Sequence, residues 1–180
     1  MLYGCQAAVA SAGVLVLALS VSANAQLEDW TRKSVIQLTS RSEVPGMVLE
    51  PGTYVFKLLD VDDHRKIVEV LDKDGQKRLT AFTAVLIHRD RPEFDTNVSF
   101  YENVTKGPKP LRTWYWDNEL HGYEFVYSTR RAKELAKGAD DYVMASDSRN
   151  GAINAITADG TKVPILDARS NVKTPAIGIH

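Results

Sequence analysis

Residues 43–59 read EVPGMVLEPGTYVFKLL, and their reading decides the fold class. Pro45-Gly46 and Pro51-Gly52 are turn pairs, because Pro presets φ and Gly accepts the positive φ that follows. After the second pair, Tyr54, Phe56 and Leu58 alternate with Thr53, Val55 and Lys57. That period of two belongs to a half-buried strand, and the stretch reads as the central hairpin of an all-β domain.

Working outward, short strands recur between turn clusters. Val35 and Ile36 mark one before Ser40, and Val68 and Val70 mark another before the turn at Asp72–Gly75. From Arg78 to His88 apolar residues fall on both faces, with Phe82, Ala84 and Leu86 on one and Leu79, Ala81, Val85 and Ile87 on the other, so this strand is expected to be central and covered on both sides. Val98 to Val104 forms a further strand, followed by aromatic strands at Leu111–Trp116 and Tyr123–Tyr127. Ser128 is placed to cap a short helix over Thr129 to Lys137, and Gly138 to stop it. Seven to eight short strands at this spacing predict a mainly all-β chain, an antiparallel β-sandwich or partly closed barrel with one short late helix. Residues 139–180 are thin in large apolar side chains and read as a loosely ordered tail, carrying at most a weak hairpin turned at Asp159-Gly160. The domain at 26–138 is expected to fold without it.

Residues 2–25 contain no charged side chain, have an apolar centre, and end in Ala23-Asn24-Ala25. The small-residue ending is that of a secretory signal peptide cleaved before Gln26, so the mature chain is expected in the periplasm or outside the cell, and at a membrane only if the leader is uncleaved. Cys5 is the single cysteine and falls in the leader, which excludes disulfides, thiol catalysis and Cys-ligated metal from the remainder. With 22 basic and 23 acidic residues interspersed, there is no basic surplus to engage a nucleic acid.

The segments VPGMVLEPGTYVFKL and GYEFVYSTRRAKELAK, with a Trp-rich strand between them, resemble a set of small exported bacterial β-rich proteins of unassigned function sharing a VPGxVLxPGTYVFxL core and a GxEFVY segment before a helix. The resemblance covers about residues 30 to 137 and implies a fold and an exported location. It brings no activity, cofactor or catalytic residue with it.

Three functions compete. The leading one is a non-catalytic structural or interaction module at the cell envelope, whose partner is a protein or an envelope polysaccharide. In the second, alternation puts Arg112, Trp114 and Trp116 on one strand face, where exposed indoles would stack on sugar rings as a carbohydrate- or cell-wall-binding platform and buried ones would be core. The third is a small hydrolase-like enzyme using His121, or His88, with Asp117 or Glu119. No nucleophile elbow or zinc-protease motif occurs to support it. Asp60, Asp62, Asp63 and His64 are the densest potential metal ligands, but their spacing fails the calcium-loop pattern, so a solvated connector, no metal and no cofactor are expected.

Overall fold

The computed structural model describes residues 33–60, 66–94, 98–102, 104, 106–138, 141–147 and 151–165. The leader, the Asp62–His64 cluster and residues 166–180 therefore lie outside the described residues. Among those described, no helix is long and apolar enough to cross a membrane.

The chain is mostly β, in two sheets with no closed barrel and one short helix. Nine strands make the larger sheet: β1 (Lys33–Leu38), β2 (Ser42–Val44), β3 (Met47–Leu49), β4 (Gly52–Asp60), β5 (Lys66–Leu71), β6 (Arg78–His88), β7 (Val98–Phe100), β8 (Lys109–Tyr115) and β9 (His121–Phe125). Their order is β1-β4-β5-β6-β9-β8-β2-β3, with β7 paired to β8 beside the main path. Pairing is antiparallel except between β2 and β8.

The opening stretch is not one hairpin. Pro45-Gly46, with Gly46 at φ +84°, turns β2 into β3 at one end of the sheet. Pro51-Gly52 then passes the chain to β4, near the other end. Only Glu50 and Pro51 separate β3 from β4, a reach of at most about 11 Å. The sheet must therefore curl until its ends approach, although no β1–β3 ladder closes it. The curl wraps Ile36, Phe56, Val68, Phe82, Trp114 and Phe125 into one core, in which Phe56 meets Trp114 edge-on at 5.8 Å and Phe82 meets Phe125 at 4.7 Å.

Helix α1 (Thr129–Ala136) begins where the sequence places it, with the Arg131 backbone N–H donating to the Ser128 hydroxyl. Its apolar residues Ala132, Leu135 and Ala136 are buried, and Gly138 donates back to the Leu135 carbonyl. The helix is the crossover between β10 (Tyr127–Ser128) and β11 (Val143–Ser146), which pair in parallel. Strands β12 (Ile153–Ile156) and β13 (Lys162–Val163) complete the smaller sheet in the order β10-β11-β12-β13.

This second sheet corrects the expectation that the domain stops at residue 138. Val143, Met144, Ala145, Ala155 and Ile156 are all at most 2% exposed, and Met144 and Ala155 pack with Val85, Val126 and Tyr142 in a second core. The hairpin at Asp159-Gly160 is present, and its arms are part of the packed structure. Val85 gains its cover from this sheet, so β6 is covered on both faces at its middle, while Leu86 toward its end remains 40% exposed.

Hydrogen bonds from the hydroxyls of Thr157 and Thr161 and from the Thr161 N–H hold the exposed Asp159 carboxyl down to about 2. Its folded value lies below its unfolded one, so the stabilisation is complete above about pH 4 and is lost as pH falls toward about 2. Asp159→Asn should therefore flatten this part of the acid limb, measured as the melting temperature of both proteins between about pH 5 and 2. An unchanged acid limb would show that the loop is held without the carboxylate.

Candidate functional site

The residues singled out on β8 do not share a face. In the β7–β8 ladder Ser99 pairs with Thr113 and Phe100 with Leu111, which leaves Arg112 as the extra residue of a bulge. A bulge inserts one residue and reverses the alternation beyond it. Leu111 and Trp114 consequently both enter the large core, and Arg112 is sent to the opposite face.

Trp114 is fully buried, its ring 4.7 Å from that of Trp116, and Trp116 packs against the same core at 5.2 Å from Tyr123. A stacking platform needs open indole faces, and Trp114 has none. The paired-indole surface read from the sequence is therefore not an open platform: Trp114 is core, and the half-buried Trp116 packs against it.

Arg112 instead ties the two sheets together. Its Nε donates to Glu124 on β9 at 3.2 Å, and its Nη2 donates to Asp141, just before β11, at 2.6 Å. Glu124 is only 2% exposed, and the Tyr142 hydroxyl is 3.4 Å from its other oxygen. The guanidinium stands over the rings of Tyr101 at 5.4 Å and Tyr142 at 5.7 Å. Burial would lower its pKa, but the Glu124 charge and the Asp141 hydrogen bond outweigh that and raise it. Burial, with the Glu124 carboxylate adding to it, pushes the Tyr101 hydroxyl well above its ordinary value. A second tie runs from Arg131 on α1 to Glu43 on β2 at 2.6 Å, beside Tyr127, whose hydroxyl donates to the Leu111 carbonyl.

Next to the Arg112 cluster lies a cavity of about 420 Å³ lined by Ser99, Phe100, Tyr101, Glu102, Val104 and Lys109. Its wall combines two aromatic rings with one acid and one base. The Ser99 hydroxyl is engaged with that of Thr113 at 2.6 Å. Tyr101 brings a buried hydroxyl that finds no hydrogen-bond partner among the described residues.

The histidines stand elsewhere. His88 is the last residue of β6 and His121 the first of β9, directly opposite one another, and both are exposed. Their ring centroids are 4.9 Å apart. Neither lines the cavity. Next to them Arg89 donates to the Glu119 carbonyl and lies 4.3 Å over the Tyr115 ring, against which Gly122 also packs. Among the described residues no three His, Cys, Asp or Glu side chains gather into a metal cluster.

Sequence reading missed the cavity and the Glu124–Arg112–Asp141 network. A lone Glu between Tyr123 and Phe125 in an otherwise apolar strand was the available signal, since an acid there is either solvated or paired. Compared with known proteins, the chain matches no family model, no curated protein and no solved structure.

Proposed function

We propose that this protein is an exported, non-catalytic β module that works by binding a partner protein at the cell envelope. The observation that carries the proposal is the cavity along β7. Its volume, about 420 Å³, falls within the range of ligand pockets, and its wall mixes aromatic surface with a few polar groups, as binding sites do. β7 lies off the main path of the sheet and, among the described residues, pairs only with β8. A strand so placed suits an extended segment of a partner, with backbone hydrogen bonds giving affinity and the cavity accepting a side chain. Glu102 and Lys109 would select its charge. The uncharged, apolar N-terminal segment ending in Ala23-Asn24-Ala25 and the resemblance to small exported proteins support a site of action outside the cytoplasm. An envelope polysaccharide is the less favoured partner, because one of the two indoles it would stack on, Trp114, is inside the core.

A photocrosslinking residue at Glu102, in cells of the native host, tests the reading. The expected result is a discrete, protease-sensitive adduct in the envelope fraction that is absent when the crosslinker replaces Lys73 in the distant β5–β6 turn. An adduct that resists protease would shift the partner to polysaccharide. Equal crosslinking from both positions, or intact Met1 on protein in the cytoplasm, would sink the proposal.

A further inference from the structure

The geometry points to a surface site for a divalent transition-metal ion at His88 and His121, of the class that prefers imidazole nitrogen. The Arg89 N–H donates to the Leu120 carbonyl at 2.9 Å, so that pair is the hydrogen-bonded kind in the antiparallel ladder. The adjacent pair, His88 and His121, is then the close, non-hydrogen-bonded kind, with Cα atoms about 4.5 Å apart and side chains rising together from one face. Two imidazoles bound at about 2.0–2.1 Å to one tetrahedral ion have centroids about 5 Å apart, since each centroid lies about 1 Å behind its ligating nitrogen. The observed separation is 4.9 Å.

The surroundings allow the ion. Both imidazoles are exposed, so their side-chain torsions can turn a nitrogen of each toward a common point without repacking the core. The nearest cation in sequence, Arg89, alternates to the other face, where the Tyr115 ring and the Glu119 carbonyl hold it. A charge that would repel a metal is thereby kept off the site. Two imidazoles favour Cu(II) over Zn(II) and both over magnesium or calcium, which require oxygen. The remaining coordination positions stay open to water or to a donor from outside the chain. The site differs from the acid/base role considered for the same residues, because it uses His–His pairing and no carboxylate.

The test is calorimetric titration of the untagged, chelator-treated protein with copper(II) and, separately, zinc(II) in a non-coordinating buffer. One equivalent should bind with micromolar dissociation constants, copper the tighter. His88→Ala and His121→Ala should each weaken binding at least about tenfold, because a single imidazole remains. His64→Ala and His180→Ala should leave it unchanged. Metal should also raise the melting temperature of the parent but of neither pair variant, since the ion links β6 to β9 only in the folded state. Since both side chains are exposed, the pair variants should fold, which their circular dichroism checks. Affinity unchanged in both pair variants, or no saturable binding by the parent up to about 100 µM metal, would overturn the assignment.

Discussion

Ending the chain after Gly138 is expected to abolish cooperative unfolding. The truncation removes β11, β12 and β13, and with them Val143, Met144, Ala145, Ala155 and Ile156, none more than 2% exposed. Emptying a single large core position costs about 2–5 kcal/mol, so losing several exceeds the total stability of about 5–15 kcal/mol that domains possess. The damage also reaches the larger sheet. β10 loses its partner, α1 loses the strands it packs against, Val85 and Val126 lose their cover, and Arg112 loses Asp141. Calorimetry of the truncated and full chains should show a sharp transition only in the latter. A transition surviving near the original temperature would mean that the large core holds alone.

That expectation reverses the one the sequence suggests, and the reason is the size of the residues involved. Residues 139–165 contain few large apolar side chains, but Ala145 fits close packing of the sheet on the helix, and Ala155 fits the second core beside Val85 and Val126, where bulk would not. Burial of small residues leaves no hydrophobic run to see. Features set by neighbouring residues were readable: the positive φ at Gly46, the Ser128 cap, the Gly138 stop and the Asp159-Gly160 turn each depend on local chemistry. Side-chain direction was readable only as far as the ladder stayed regular. The extra residue at Leu79, opposite the Val70/Leu71 step, turns that side chain toward the large core, and the extra residue at Arg112 does the reverse to its own. Bulges carry no reliable residue signature here, so alternation counted through them assigns the wrong face. The His88–His121 pair was hidden for another reason. It depends on β6 and β9 being neighbours, which topology fixes and composition does not.

Arg112→Ala is expected to cost about 3–5 kcal/mol at neutral pH, far more than a surface ion pair of about 0–1 kcal/mol. The difference comes from what the substitution leaves behind. Glu124 stays at the junction of the two sheets without the Arg112 guanidinium, and a buried carboxylate that has lost its cation is far less stable than one in water. Acid should relieve this defect. Protonation removes the buried charge, so the penalty should shrink as pH falls. Removing the charge by mutation makes the same point. Adding Glu124→Leu to Arg112→Met should recover most of the loss, because replacing a buried pair with apolar residues of similar size is often neutral or stabilising by about 1–4 kcal/mol. Urea unfolding of the two variants and the parent at neutral and acid pH measures all of these terms. A loss below about 1 kcal/mol in Arg112→Ala, with no dependence on pH, would mean that Glu124 is solvated at the junction and that apolar packing alone joins the sheets.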